Sequence, residues 1–415
     1  MLRPDRPDDD GDQVALMVLG VRTGAEGGNV KYRSFGNLDW QVSALGFGCM
    51  RLPTKNGREA IEEREATRMV RAAIEEGVNY LDTGYSYHGG NSEPFVGRVL
   101  EDGYRERVRV ATKMPSWKIA AWDDFDQYLG EQCERLRMAH VDFYLLHGLN
   151  RERWDKLRKL GVLEWAEGAA AEGRIGYLGF SFHDKYEVFK EIVDAHDWTF
   201  CQIQYNYMDI ENQAGRKGLN YAASKGIAVV VMEPLLGGRL VAPPKPVRDI
   251  WKEAPTERTP AAWGLQWLWN QPEVSAVLSG MSTMEQVKEN VATAGRSGVG
   301  TLSDEEVSIV QRVREAYEEL CPIPCTQCNY CMPCPHGVDI PRNLEIYNEG
   351  IMYEKPESAR RSYGFLEEDK RASACTACLE CEDQCPQGIA VSQWMTQVHD
   401  VLGKGESFAR SLRPS

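Results

Sequence analysis

The sequence has no excess of positive charge and no long hydrophobic run. Its 415 residues include 48 Lys and Arg against 62 Asp and Glu, which gives a formal net charge of −14. Without a broad basic field to neutralise phosphates, a nucleic-acid partner is not expected. No apolar run approaches the roughly 20 residues that cross a bilayer. The apolar stretch at 14–21 follows four Asp rather than basic residues, unlike a signal peptide. We therefore expect no membrane partner and a cytoplasmic location.

Cysteine is scarce over most of the chain and abundant at its end. Only Cys49, Cys133 and Cys201 lie in the first 320 residues, and the other nine of the twelve follow them. In a cytoplasmic protein such clustering indicates metal binding rather than disulfide bonds.

Strand-like runs alternate with helical patterns from residue 44 to residue 293. The eight runs that favour strands are 44–48, 79–83, 108–113, 142–147, 177–182, 201–205, 227–232 and 274–280. This alternation indicates parallel βαβ units, and eight units over about 250 residues match a (β/α)8 TIM barrel. The rival is a doubly wound sheet, but no Gly-x-Gly-x-x-Gly fingerprint follows the first strand. We therefore predict the barrel.

The composition divides the chain into three parts. Residues 1–28 are rich in Asp and Gly without periodicity, and we predict a disordered extension there. The barrel is predicted over 29–317, with a charged helix at 303–319 that closes it. Residues 318–415 combine the cysteine motifs with amphipathic stretches around 342–349 and 389–402, which predicts a small helical second domain.

Four polar residues stand at or just after the ends of predicted strands. Asp82 follows the second apolar run, Tyr87 comes five residues later in a Gly-rich loop, and Lys113 and His147 close the next two strands. Each alone is more typical of a solvated rim or a structural hydrogen bond. The carboxyl ends of barrel strands converge on one face, so these four, together with Ser181 in the run at 177–182, indicate an active site.

The cysteine spacing is the most specific pattern in the chain. The run at 375–386 has the bacterial ferredoxin spacing Cys-x2-Cys-x2-Cys-x3-Cys-Pro, and the run at 325–335 is one residue shorter. In two-cluster ferredoxins the fourth cysteine of each run serves the other cluster. One [4Fe-4S] cluster is therefore assigned to Cys325, Cys328, Cys331 and Cys385. The second is assigned to Cys375, Cys378, Cys381 and Cys334. Cys321 has no role in this assignment, and structural zinc, which also takes four thiolates, is the alternative.

Taken together, the motifs resemble the aldo-keto reductase superfamily, in its branch with a C-terminal ferredoxin-type domain carrying two [4Fe-4S] clusters. The likeness rests on Leu-Asp-Thr-Gly at 81–84, Ala-Thr-Lys at 111–113, Leu-Leu-His at 145–147 and Gly-Arg-Ile-Gly-Tyr-Leu-Gly-Phe-Ser at 173–181. It implies an oxidoreductase that reduces an aldehyde or ketone to an alcohol, or the reverse, with NAD(P)H. The catalytic tetrad implied is Asp82, Tyr87, Lys113 and His147.

The chemistry accounts for these residue types. A Tyr hydroxyl with its ordinary pKa near 10 is a slow acid at neutral pH, and a nearby ammonium would lower that pKa. A carboxylate holds the ammonium, and a histidine polarises the carbonyl oxygen. The resemblance also implies the residues around the nicotinamide cofactor, which are Ser181, Gln202, Gly238, Ser282, Gln286, Glu289 and Asn290.

Two alternatives remain open at this point. The barrel could be a redox enzyme fed by ferredoxin or another one-electron carrier through a bound flavin, with nicotinamide secondary. It could also be a non-catalytic electron-transfer subunit. The four cooperating polar residues argue against the second alternative.

Overall fold

The computed structural model describes residues 29–55, 57 and 59–408. The predicted disordered extension, residues 1–28, lies outside the described residues. The described residues form ten strands, β1 to β10, which are Tyr32–Phe35, Leu38–Ser43, Leu45–Gly48, Tyr80–Asp82, Arg109–Met114, Val141–Leu149, Ile175–Phe182, Phe200–Gln204, Ala228–Met232 and Val274–Ser279. Strands β3 to β10 form a closed parallel barrel in chain order, with β10 paired to β3. The predicted (β/α)8 barrel is confirmed.

Helices follow the barrel strands and then build the C-terminal part. The α-helices, α1 to α15, are Glu63–Glu75, Ser92–Val99, Asp123–Leu136, Arg151–Lys159, Val162–Ala171, Tyr186–Asp194, Gly215–Ser224, Lys245–Trp251, Pro260–Trp269, Met284–Ala294, Asp304–Glu319, Ile340–Met352, Pro356–Gly364, Glu380–Asp383 and Val391–Val398. Ser303 begins α11 with a capping box, in which its side chain and that of Glu306 satisfy each other's backbone N–H groups. No helix among the described residues is both long and apolar enough to cross a membrane.

The hairpin of β1 and β2 closes the amino-terminal end of the barrel. Its Phe35 and Trp40 rings lie 5.0 and 5.5 Å from the ring of Phe143, and Tyr80 and Phe200 join the same buried cluster. These partners stand at or near the starts of their strands, so the aromatic plug fills one end of the barrel. The opposite end, where the strands finish, is left to hold a site.

The C-terminal part has a core of its own and is docked on the barrel. Buried residues of α12, α13 and α15 form that core, among them Tyr347 and Trp394, whose rings lie 5.7 Å apart. At the junction, Tyr353 packs 5.2 Å from Tyr317 of α11. Arg239, in the loop after β9, forms an ion pair of 2.6 Å with Glu349 of α12. The helix α12 therefore links the cysteine-rich segment to the carboxyl-terminal end of the barrel.

Candidate active site and cysteine-lined cavities

A buried ion pair lies at the centre of the carboxyl-terminal end of the barrel. Lys113 of β5 places its Nζ 2.6 Å from Asp82 Oδ1 of β4, and both side chains are almost fully buried. The ammonium also donates to the carbonyl oxygen of Thr83, at 2.6 Å. A buried charge needs such partners, because its desolvation is costly. Burial lowers the pKa of Lys113, but the charge of Asp82 and the hydrogen bonds of the ammonium raise the pKa by more than burial lowers it. The net pKa is therefore raised, and Lys113 remains a charged ammonium.

The ammonium faces Tyr87, as the sequence predicts. Tyr87 begins a short 3-10 turn after β4, and Lys113 Nζ lies 4.8 Å from the centre of its ring. Burial raises the pKa of the Tyr87 hydroxyl, and the charge of Lys113 lowers it only in part, so the net pKa lies above its usual value. From the sequence alone, the ammonium is expected to lower this pKa, and burial reverses the direction. The phenol consequently stays protonated at neutral pH and holds a proton that it can donate.

His147 completes the group from β6. Its ring lies 6.1 Å from the Tyr87 ring and 5.2 Å from the Trp117 ring. Burial lowers the pKa of His147 well below its usual value, and the positive charges of Lys113 and Arg153 add to that effect. Its Nδ1 is buried and has no hydrogen-bond partner among the described residues. A neutral imidazole with an unused nitrogen is suited to bind a polar group of a ligand.

Ser181 and Gln202 lie side by side next to this group. They are paired in register on β7 and β8, and both are buried. Ser181 Oγ accepts a hydrogen bond of 2.7 Å from the Gly148 N–H. Gln202 Nε2 donates to the second oxygen of Asp82 at 2.6 Å. Gln202 thus helps to hold the carboxylate that neutralises Lys113, a role that the sequence did not indicate.

The other predicted cofactor residues lie in the loops after β9 and β10 and along α10. Gly238 has φ +89° and open space around its Cα, so it leaves room for a ligand against the backbone. Gln286 accepts from the Ser282 N–H at 2.7 Å. Asn290 donates to Ser279 Oγ at 3.0 Å, and Glu289 accepts from Thr259 Oγ1.

One residue of this region was missed by the sequence argument. Arg51 follows β3, and its carbonyl oxygen accepts from Ser282 Oγ at 2.7 Å. Its guanidinium lies 3.6 Å from Glu233, and one Nη lies 2.9 Å from the position that a Cβ on Gly237 would take. Arg51 therefore brings a positive charge close to Gly237 in the loop after β9. The signal was its place three residues past a barrel strand.

The two predicted cysteine sets each surround a cavity. The first cavity is lined by Cys325, Cys328, Cys331 and Cys385, together with Pro341 and Leu344 of α12. The second cavity is lined by Cys334, Cys375, Cys378 and Cys381. Cys331 and Ile340 border both cavities, so the two cavities adjoin.

Cys321 borders neither cavity and donates to the Ile323 carbonyl at 3.4 Å. Among the described residues, no three His, Cys, Asp or Glu side chains converge on a single ion position. Four thiols around a cavity are the donor set of an iron–sulfur cluster.

The structure thus combines a parallel barrel that holds a buried Lys–Asp pair with a C-terminal part that holds two cysteine-lined cavities. The chain matches the Aldo/keto reductase family over residues 44–315 and the 4Fe-4S dicluster domain over residues 324–390. The chain belongs to the aldo-keto reductase family and carries a C-terminal 4Fe-4S dicluster domain.

Relatives of the barrel agree with this assignment. An uncharacterized oxidoreductase of Bacillus subtilis, YqkF, is 28% identical over 312 residues, which cover 68% of this chain and 96% of the relative. The aldo-keto reductase AKR11C1 from Bacillus halodurans, in its holo form, has a TM-score of 0.58 at 28% identity, covering 68% of this chain and 96% of that one. An aldo-keto reductase from Klebsiella pneumoniae, solved in complex with NADPH, shares the fold with a TM-score of 0.56 at 23% identity, covering 69% and 95%.

Proposed function

We propose that the barrel reduces an aldehyde or ketone to an alcohol with NAD(P)H, or catalyses the reverse reaction. Asp82, Tyr87, Lys113 and His147 are the catalytic residues of this proposal. The observation that carries it is the buried Lys113 ammonium, held 2.6 Å from Asp82 and 4.8 Å from the Tyr87 ring. The structural relative solved with NADPH supports a nicotinamide as the cofactor.

A nicotinamide, when bound, supplies a hydride to the carbonyl carbon. Tyr87 donates its proton to the carbonyl oxygen, so that one hydride and one proton convert C=O to CH–OH. Lys113 stabilises the phenolate that Tyr87 becomes, and Asp82 keeps Lys113 in place. The neutral His147 donates a hydrogen bond to the same oxygen and thereby favours the developing negative charge.

The carboxyl ends of β7 and β8, the loops after β9 and β10, and the helix α10 would hold the cofactor. Ser181 would contact the carboxamide end, with Gln202 beside it. Gly238 would lie against the pyrophosphate, where Arg51 adds a positive charge. Ser282, Gln286, Glu289 and Asn290 would face the adenosine end, at the start of α10. Anionic groups are favoured at helix N-termini because the free N–H groups point at them.

The reaction is tested by comparing two tyrosine variants that each lose one hydroxyl. Tyr87→Phe should lower the turnover of carbonyl compounds by roughly 10²–10⁴-fold with cofactor affinity preserved. Tyr85→Phe is the matched control, because the Tyr85 hydroxyl bonds instead to Glu131, at 3.1 Å. Cofactor affinity is measured by fluorescence titration under anaerobic conditions. Unchanged turnover in Tyr87→Phe would place the acid elsewhere.

A second role, electron exchange through the clusters, is favoured by the junction between the two parts. Leu344 of α12 lines the first cavity, and Glu349 on the same helix pairs with Arg239 beside Gly238. These two helix positions are five residues apart, about 7.5 Å along the axis. We propose that two [4Fe-4S] clusters pass single electrons between a carrier such as ferredoxin and a two-electron carrier in the barrel, either the nicotinamide or a flavin.

The relay is tested with a low-potential electron donor in place of added nicotinamide. Donor-driven reduction of the substrate should occur in the intact protein and be lost in Cys378→Ser. Should folded protein without clusters keep full activity with NAD(P)H, and no donor ever replace the nicotinamide, the clusters serve only to fold the C-terminal part.

A further inference from the structure

Arg153 places a guanidinium beside the proposed active site, and no carboxylate in the described part of the chain neutralises it. It lies in the first turn of α4, directly after β6, where the Asn150 side chain accepts from the Arg153 N–H at 2.9 Å. Its Nη1 donates to the Gly148 carbonyl at 2.7 Å. That carbonyl is a neutral partner, and Arg153 has no ion pair among the described residues. Several donors of the guanidinium therefore remain for another acceptor.

The position of Arg153 relative to His147 follows from their shared neighbours. The Trp117 ring lies 5.2 Å from the His147 ring and 5.8 Å from the Arg153 guanidinium carbon. Gly148, with φ +60°, separates His147 from α4, and a Cβ there would stand 2.9 Å from Arg153 Nη1. A side chain at 148 would displace the arginine. The Trp117 ring thus neighbours both the Arg153 guanidinium and the His147 imidazole, which is proposed to bind the carbonyl oxygen.

The neighbouring charges are already balanced, which distinguishes Arg153 from them. Arg151 pairs with Glu191 at 2.7 Å, and Arg158 lies 3.8 Å from the same carboxylate. Around the site itself, Lys113 is neutralised by Asp82, and Glu233 pairs with Arg51. His147 and His183 both have lowered pKa values, mainly through burial, and are neutral. Of the charged side chains named here, Arg153 is the one that has no carboxylate partner among the described residues.

We propose that Arg153 binds a carboxylate of the substrate, so that the carbonyl compound reduced in the barrel is an anionic one, such as an oxo acid or a carboxylated aromatic aldehyde. This inference rests on the proposed carbonyl reduction and names its substrate class. A planar guanidinium matches a carboxylate with two parallel hydrogen bonds. Trp117, which is 40% exposed, offers a flat apolar face for the hydrocarbon part between the two ends.

The test compares 4-carboxybenzaldehyde with benzaldehyde in Arg153→Gln and in the control Arg151→Gln. In the wild type, kcat/KM should favour the carboxylated aldehyde. In Arg153→Gln that preference should fall by roughly 10–150-fold, the equivalent of one lost charged hydrogen bond, mainly through KM. Arg151→Gln should keep the preference, and Arg153→Lys should restore part of it. An unchanged preference in Arg153→Gln, or an equal loss for both aldehydes, would overturn the proposal.

A binding measurement separates this inference from the proposed reaction. If the wild type reduces neither aldehyde, the carbonyl reduction fails as a function. Calorimetric titration with 4-carboxybenzaldehyde then decides the role of Arg153 alone. Binding that is lost in Arg153→Gln and kept in Arg151→Gln supports the carboxylate site, and equal binding by all three proteins refutes it.

Discussion

Removing either partner of the Asp82–Lys113 pair should destabilise the barrel strongly. The Lys113 and Asp82 side chains are 1% and 4% exposed, so solvent screens their attraction little. Asp82→Asn leaves the ammonium with neutral partners, the Thr83 carbonyl and Tyr87, and Lys113→Met leaves the carboxylate with the neutral Gln202 amide. An uncompensated buried charge costs about 3–5 kcal/mol. Each single variant should lose about that much of its free energy of unfolding.

The double variant and the pH dependence sharpen this prediction. Asp82→Asn/Lys113→Met removes both charges together, so its loss of unfolding free energy should be clearly less than the sum of the two single losses.

In the wild type the pKa of Lys113 is raised, so the contribution of the pair to stability is complete below about pH 10.4 and is lost only above it. In Asp82→Asn, burial without a counter-charge should lower the pKa of Lys113. Its unfolded state then binds more protons, and its stability should rise with pH up to about 10.4.

Urea unfolding followed by tryptophan fluorescence, under anaerobic conditions, measures these differences. The four proteins are compared at pH 7 and at pH 9. A loss below about 1 kcal/mol in either single variant would refute the argument, because a loss of that size is typical of an exposed ion pair. A loss in the double variant that equals the sum of the two single losses would also refute it.

Three further predictions follow from the same geometry. The rate of carbonyl reduction should stay level from about pH 6 to pH 10, because the pKa of Tyr87 is raised above its usual value near 10 and that of His147 is lowered; a pH–rate profile that falls at pH 7–8 would contradict this. Arg51→Ala should weaken nicotinamide binding about two- to fivefold, a modest loss because the side chain is 45% exposed; Arg68→Ala, an exposed arginine paired with Glu65, is the control. Anaerobically purified protein should carry about eight iron and eight sulfide, with one cluster lost in Cys378→Ser and none in Cys321→Ser; stoichiometric zinc without iron would reject the clusters.

The barrel and the strand-end residues could be predicted because their signals are local. Asp82, Lys113 and His147 each close an apolar run, and the convergence of strand ends in a barrel places them together. The cysteine sets follow in the same way from their spacing. Arg51 and Arg153 could not be singled out, because each lies in or just beyond a loop and is one of many arginines. Arg153 is distinguished by the lack of a carboxylate partner among the described residues, and Arg51 by its position next to Gly237. Both features depend on the folded structure.

Contacts across the barrel and the degree of burial were also beyond the sequence. The hydrogen bond from Gln202 to Asp82 joins residues 120 positions apart, and nothing local to Gln202 indicates it. The net direction of the Tyr87 pKa depends on burial against the charge of Lys113. The charge of Lys113 is visible in the sequence, but the degree of burial is not. The pKa shift expected from the charge alone was therefore downward, whereas the structure gives an upward shift.

The most direct test of the central claim follows the hydrogen that reaches the carbonyl carbon. NAD(P)H carrying deuterium on the transferred position of the nicotinamide is supplied with a carbonyl substrate in ordinary water, and the alcohol is analysed by mass spectrometry and NMR. Direct hydride transfer in the barrel predicts one deuterium per molecule, bound to the carbinol carbon. Alcohol formed at the full rate with hydrogen from solvent at that carbon would contradict the account and assign the reduction to an exchanging carrier such as a flavin.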